Sequence, residues 1–133
     1  MARSIHLCVA TDAGLDTFAE RLGQLLGRPL KRVEEGGHVR WEPADPDPHV
    51  DVLVYENDFE NDKDVNFEDY QIVISIRAWR LRGSNEADWK VWREGFARTL
   101  YGRLKDTGHY GLMLVDGVQT KLDEYRPAEH VGR

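Results

Sequence analysis

Apolar residues recur along the chain with two periods, and each period predicts the type of element. Near the start, Ile5, Leu7 and Val9 alternate with other residues, which is typical of a strand with one buried face. The next apolar stripe has spacings of three, four and three residues and predicts an amphipathic helix. It consists of Leu15, Phe18, Leu22 and Leu25.

The ends of this helix are marked by residues with known positional preferences. Thr11 or Asp12 is expected to cap its first turn, because short polar side chains accept hydrogen bonds from the free backbone N–H groups there. Gly27 and Pro29 are expected to end it, since glycine tolerates the left-handed conformation and proline cannot continue the hydrogen-bond ladder.

The middle of the chain predicts further strands joined by tight connections. Gly36-Gly37 lies between two strand-like runs and suits the positive φ angles of a two-residue hairpin turn. Three prolines within residues 43–48 indicate a loop, and residues 50–54 resume the alternation. The run with Ile72, Ile74 and Ile76 is apolar on both faces, so we expect it at the centre of a sheet.

The last third of the chain predicts a second helix and a second hairpin. Ser84 or Asn85 is expected to cap the helix and Gly108 to close it. Asp116-Gly117 then predicts a two-residue type I′ turn between the last two strands. The helix has an apolar stripe that we expect to be buried in the core. The alternative is that the aromatic residues of this stripe stack on a ligand. The stripe consists of Trp89, Trp92, Phe96, Leu100 and Leu104.

Together these elements give the order β-α-β-β-β-β-α-β-β and an α+β fold. Because hairpins dominate, we expect a mainly antiparallel sheet of about six or seven strands with both helices packed on one face. The chain of 133 residues has the length of one domain, which we place at residues 1–126. Residues 127–133 are expected to fray.

Composition and charge narrow the classes of function. No apolar run approaches the roughly 18 residues of a membrane helix, and the start lacks a signal-peptide pattern, so we expect a cytoplasmic protein without membrane association. The net charge of −6 argues against non-specific nucleic-acid binding. That charge is local, because the segment from Glu56 to Asp69 holds seven acidic residues and one lysine.

Candidate catalytic and metal-binding groups lack the spacing that such sites need. Cys8 is the single cysteine and lies inside a strand, where a buried thiol is expected rather than a nucleophile. The five histidines show no paired-ligand spacing, and the chain has no nucleophile elbow and no phosphate-binding loop. We therefore predict no catalytic residue, no cofactor and no metal.

A calcium site in the acidic segment is the main metal alternative. Oxygen ligands recur there at near-alternating positions, which suits a hard cation. They are Asp58, Glu60, Asp62, Asp64, Asn66 and Asp69. Lys63 stands where the helix-loop-helix calcium motif requires glycine, and the flanking elements are strands rather than helices, so this alternative is disfavoured.

The acidic segment has two remaining interpretations. It is either a solvated connection between strands or a rigid anionic surface that attracts a basic protein partner. Apolar residues such as Phe59, Phe67 and Tyr70 alternate with the charges and would anchor an interface, or pin the segment to the protein's own core. The predicted interface consists of Asp58, Phe59, Glu60, Asp62, Asp64, Phe67, Glu68 and Asp69.

Much of the chain resembles small bacterial immunity proteins of polymorphic toxin systems. The resemblance is carried by the opening strand and helix, IHLCVATDAGLDTFAERLGQLLG, by VNFEDYQIVISIR, and by WKVWREGFARTLYGRLKDTGHYGLMLVDGVQTKLDEY. It is a likeness of general pattern. It implies a cytosolic α+β protein that binds and blocks a cognate toxin in the producing cell, and it transfers no binding residue.

The leading hypothesis is therefore a protein-binding inhibitor whose acidic surface meets a basic partner, with a toxin domain as the candidate. Against a nuclease toxin, the carboxylates would take the positions of substrate phosphates. One alternative is a small-molecule- or metal-binding enzyme with a pocket between helices and sheet, using Asp51, Tyr55, Arg77 and His109. Another alternative is a homodimer formed through an exposed strand edge.

Overall fold

The computed structural model describes residues 4–45, 50–61, 65–78, 86–117 and 120–127, which form seven strands and two α-helices. The elements are β1 (Ser4–Ala10), α1 (Leu15–Leu26), β2 (Leu30–Glu35), β3 (His38–Pro43), β4 (Val50–Glu56), β5 (Ile72–Ala78), α2 (Glu86–Thr107), β6 (Gly111–Asp116) and β7 (Thr120–Tyr125). A short 3-10 helix, Phe67–Asp69, lies between β4 and β5. This order matches the predicted one.

The seven strands form one sheet in the order β2-β3-β4-β5-β1-β6-β7, and every neighbouring pair is antiparallel. The predicted α+β class and antiparallel sheet are thus confirmed. Strand β5 lies between β4 and β1, as its apolar composition predicted, since a strand that is covered on both faces needs apolar residues in both sets of alternating positions. The sheet is open, with β2 and β7 at its edges.

Both helices pack on one face of the sheet, where they complete the main core. On β1 that face presents Ile5, Leu7 and Val9, which are fully buried. Phe18 of α1 and Leu100 of α2 are buried in the same cluster. The main core therefore contains alternate residues of the strands and one apolar stripe from each helix, as the two periods of the sequence predicted.

The start of α1 differs from the prediction, whereas its end confirms it. The N-cap is Gly14, and no side chain caps the helix. The Thr11 hydroxyl instead accepts a hydrogen bond of 3.1 Å from the Ala13 backbone, within the turn before the helix. At the other end, Gly27 adopts the left-handed conformation with φ of 70° and stops the helix.

One of the two predicted hairpin turns is confirmed and the other is wrong. Gly36 and Gly37 both have positive φ, and they join paired residues at the ends of β2 and β3, as a two-residue turn requires. In the second hairpin, Asp116 pairs with Thr120, so three residues rather than two lie between the strands. Gly117 has a φ of 64°, but it follows the last residue of β6 instead of occupying the second position of a type I′ turn.

Helix α2 is rotated relative to the stripe that its aromatic residues predicted. Leu100 and Leu104 are buried as expected, but Trp92 is 44% exposed. Arg93 and Tyr101 face the sheet side and are buried instead. The Arg93 guanidinium pairs with the Asp116 carboxylate at 3.5 Å, which holds this orientation. The predicted cap residues 84 and 85 and the Trp89 side chain lie outside the part that the structure describes.

Within the described residues, neither helix combines the length and the apolar composition needed to cross a membrane. Pro127, the first residue of the predicted tail, is buried, and residues 128–133 lie outside the described part of the chain.

Candidate functional site

The described parts of the acidic segment, residues 56–61 and 65–69, lie against the face of the sheet opposite the helices. Their apolar residues build a second, smaller core there. Val65, Phe67 and Tyr70 are each at most 3% exposed. They pack with sheet residues whose side chains point away from the helices, including Cys8 and Val73. The described part of the segment is therefore a folded cover on the sheet.

Phe59 links this second core to β1 through two aromatic contacts. Its ring centroid lies 5.1 Å from that of Phe67 and 5.3 Å from that of His6, the latter in an edge-on arrangement. The His6 ring nitrogen Nδ1 donates a hydrogen bond to the Gly117 carbonyl. Burial lowers the pKa of His6 despite that bond, so the imidazole beneath Phe59 is neutral at pH 7.

Asn57 holds the beginning and the end of the segment together. Its backbone N–H donates to the Gln71 carbonyl at 2.9 Å. Its side-chain amide donates to the carbonyls of Phe67 and Tyr70 at 2.7 and 2.9 Å, and its side-chain oxygen accepts from the Phe59 backbone at 2.9 Å. One asparagine thus satisfies backbone groups from both ends of the segment, which fixes their separation.

A second asparagine closes the segment further out. The backbone N–H of Asn61 donates to the Glu68 carboxylate at 3.0 Å, and the backbone N–H of Glu68 donates to the Asn61 side-chain oxygen at 2.8 Å. This reciprocal pair joins the two sides of the segment. The predicted contacts Asp62 and Asp64 lie outside the described residues.

Glu124 on β7 anchors the last part of the segment. Its carboxylate accepts hydrogen bonds from the Tyr70 hydroxyl, from the Asn66 side-chain amide at 3.1 Å and from Lys121 Nζ at 3.1 Å. Burial alone would raise the pKa of Glu124, but these hydrogen bonds outweigh it and lower the pKa to about 2. Burial, followed by the bond to this carboxylate, raises the pKa of Tyr70.

The predicted contact residues divide into exposed carboxylates and buried anchors. Asp58, Glu60, Glu68 and Asp69 are exposed, and Phe59 is partly buried. Phe67 is 1% exposed, so it packs in the protein's own core and supports the surface from beneath.

The exposed carboxylates are not equally available. Glu68 is engaged by Asn61, and Asp69 pairs with Arg126 at 3.3 Å and accepts from Asn66 at 2.8 Å. Asp58 and Glu60 are exposed, and within the described residues neither carboxylate takes part in an ion pair or a hydrogen bond.

The residues proposed for an enzyme pocket do not converge. Asp51 and Arg77 are directly opposed on β4 and β5, and Tyr55 lies on the same face, which is the face away from the helices. His109 follows α2 at the other end of the sheet and lines a depression of about 790 Å³ near the start of β6. Three of the four residues therefore share one face and the fourth lies elsewhere, so they form no single pocket.

Metal and thiol chemistry have little support in the described part of the chain. No group of three or more His, Cys, Asp or Glu side chains is placed there to hold a metal ion. Cys8 is fully buried, as predicted, and burial raises the pKa of its thiol to about 12. A thiol with that pKa is protonated at neutral pH and is a poor nucleophile.

Sequence reasoning missed the residues that hold the surface in place. Asn57, Glu124, Lys121 and Arg126 carry no local signal for this role, because Glu124 meets Asn66 across 58 residues of chain. Asn57 is the partial exception, since asparagine at the end of a strand often bonds nearby backbone groups.

No known protein family, curated protein or solved structure matches this chain.

Proposed function

We propose that this protein is a binding protein whose acidic surface docks a basic protein partner and inhibits it, as an immunity protein blocks its toxin. The observation that carries the proposal is the fixed placement of the acidic segment. Asp58 and Glu60 are exposed and unpaired within the described residues, on a segment held by the second core and by the hydrogen bonds of Asn57 and Asn61. Carboxylates fixed in advance lose little conformational freedom when a partner binds.

The exposed charge would act mainly on the rate of association. Clustered charge on one side of a protein can raise the rate of encounter with an oppositely charged partner by one to three orders of magnitude. Phe59 lies between Asp58 and Glu60 in the chain and is only partly buried, so the exposed part of its side chain offers an apolar contact next to the two charges.

The alternative function, a homodimer formed through an exposed strand edge, has less support at the edge strand β2. Lys31, Arg32 and Glu34 are exposed there, and charged residues on an edge strand oppose pairing with a second sheet. The sedimentation mass in solution tests this directly, and a stable dimer would favour the assembly role.

The test begins with the wild-type protein as bait in lysate of the source organism, followed by kinetics with the purified partner. The variant Asp58→Asn/Glu60→Gln removes two charges from the surface. The matched control Glu20→Gln/Asp106→Asn removes two exposed charges from α1 and α2, on the other side of the sheet. We expect the surface variant to associate about tenfold or more slowly at low salt, and the control to match the wild type.

Salt supplies the second measurement. The screening length falls from about 30 Å at 0.01 M to about 8 Å at 0.15 M, so the association rate of the wild type should fall steeply over this range. Equal rates for the surface variant and the control, or a rate independent of salt, would contradict the proposal. Inhibition itself is tested by adding the protein to an activity assay of the captured partner, where undiminished activity would refute the inhibitory role.

A further inference from the structure

An open groove lies between α2 and the part of the sheet formed by β2, β3 and β4. Its volume is about 580 Å³, which falls within the range of small-molecule sites. Its described walls are mostly apolar and come from both helices and three strands. They include Leu26, Leu30, Pro43, Val52, Trp92 and Phe96.

The chain leaves large aromatic surface exposed at this groove. Trp92 is 44% exposed, and its ring stacks on Phe96 at 5.9 Å between centroids with an angle of 20° between the planes. The neighbouring Val91 is 74% exposed. Because the buried Arg93 is paired with Asp116, the helix cannot turn to bury Trp92 without breaking that pair. Contiguous exposed apolar surface is typical of ligand grooves and interaction sites.

Among the described residues that line the groove, the charged side chains are arginines. Arg28 and Arg103 line it, and no acidic side chain does so among the described lining residues. Arg103 also donates to the Leu25 carbonyl at 3.4 Å, which keeps its guanidinium near the end of α1. Guanidinium groups bind carboxylates with paired, directional hydrogen bonds, so the rim selects for an anion.

From this geometry we propose that the groove binds a small organic monoanion that has a flat apolar body and one carboxylate. The body stacks on the Trp92 and Phe96 rings, and the carboxylate meets Arg103 at the rim. The groove lies on the helix side of the sheet, opposite the acidic surface, so this activity is independent of the protein-binding role.

Three probes with the same apolar body test the charge preference. They are 2-naphthoate, 2-naphthamide and 2-naphthylmethylammonium, with charges of −1, 0 and +1. Their affinities are measured by calorimetry, and the site is located by amide chemical-shift changes along α2. Since a hydrogen bond to a charged group outweighs a neutral one, we expect naphthoate to bind about tenfold or more tightly than the amide, and the cation to bind least.

Gly95 allows the groove to be filled without disturbing the core. It lines the groove, and a Cβ at this position would meet nothing within 4 Å. The variant Gly95→Leu therefore places a side chain in the groove while improving the helix propensity of α2. Gly102 on the same helix has equal space but does not line the groove, so Gly102→Leu is the matched control. We expect about tenfold or greater loss of naphthoate affinity in the first variant and none in the second.

Arg103→Gln separates charge from shape, because it removes the guanidinium charge at the rim and leaves the apolar walls of the groove unchanged. It should weaken naphthoate binding and leave naphthamide binding unchanged. The proposal is overturned if none of the three probes binds, if their affinities are equal, or if Gly95→Leu binds naphthoate as the wild type does. Circular dichroism of each variant checks that a loss of binding does not come from a loss of folding.

Discussion

Replacing Glu124 by glutamine tests how strongly β7 holds the acidic surface. The carboxylate accepts hydrogen bonds from Tyr70, Asn66 and Lys121, and all three hydrogen bonds favour its ionised form. Glutamine keeps the size of the side chain but removes the charge. It also replaces one acceptor oxygen by an amide nitrogen, which only donates. In one orientation this nitrogen faces Lys121, and in the other it faces Tyr70 and Asn66, so a donor meets a donor in either case.

The size of the effect follows from the pKa of Glu124. A decrease from the ordinary 4.5 to about 2 corresponds to about 3 kcal/mol of preference for the ionised form. The side chain is 26% exposed, so solvent screens part of this, and we expect about 2 kcal/mol of folding stability. Because the pKa is lower in the folded state, this stabilisation is fully present above pH 4.5 and is lost as the pH falls toward 2.

Urea unfolding of the wild type and of Glu124→Gln, at several values between pH 7 and pH 2.5, measures this contribution. At pH 7 the variant should be less stable by about 2 kcal/mol, and the difference should shrink steadily below pH 4.5. Glu20→Gln, an exposed residue of α1, is the control and should stay within about 0.5 kcal/mol of the wild type at every pH. A difference for Glu124→Gln that is as large at the lowest pH as at pH 7 would refute the assigned role of its charge.

Three further predictions concern the second core, the thiol and two glycines. Phe67→Ala should lower the free energy of unfolding by about 3–5 kcal/mol, because Phe67 is 1% exposed. The partly buried Phe59 should lose clearly less stability on replacement by alanine. Equal losses for the two variants in thermal unfolding would contradict the packing of the second core. Cys8 should react with a disulfide reagent only on unfolding, since its thiol is buried and burial raises its pKa to about 12. Fast labelling of the folded protein would disprove this. Gly27→Ala should destabilise the protein by about 1 kcal/mol, because φ at this position is 70°. Gly102→Ala in the interior of α2 should stabilise it by about 0.5–1 kcal/mol. Changes of the same sign for both variants in urea unfolding would contradict the left-handed conformation assigned to Gly27.

The exposure of Trp92 shows where periodicity stops being informative. Two apolar stripes compete on α2, one with the aromatic residues and one with Ala97 and Tyr101 beside Leu100 and Leu104. Both stripes have helical spacing, and the sequence favours the aromatic stripe because its residues are larger. In the structure, the pair between Arg93 and Asp116, the last residue of β6, holds the other stripe against the sheet. No local pattern in the sequence contains this contact.

The sequence by itself determined the element order, the fold class, the buried Cys8 and the concentration of charge in one segment. These follow from periods of two and 3.6 residues, from glycine at left-handed positions and from composition, all of which act over a few residues. Turn length was less secure, since Asp116-Gly117 suits a two-residue turn but the pairing of Asp116 with Thr120 sets a three-residue one.

Only the tertiary structure decided what the acidic segment is. From sequence, the aromatic residues in and next to the segment could either anchor an interface or pin the segment to the protein's own core. The structure shows the second role for Phe67 and Tyr70, which are buried against the face of the sheet opposite the helices. The anchoring of the segment by Glu124, and the groove beside Trp92, are set by contacts between residues far apart in the chain. Such contacts depend on how whole elements pack, and that packing is an energy balance over the entire molecule rather than a property of any one stretch of sequence.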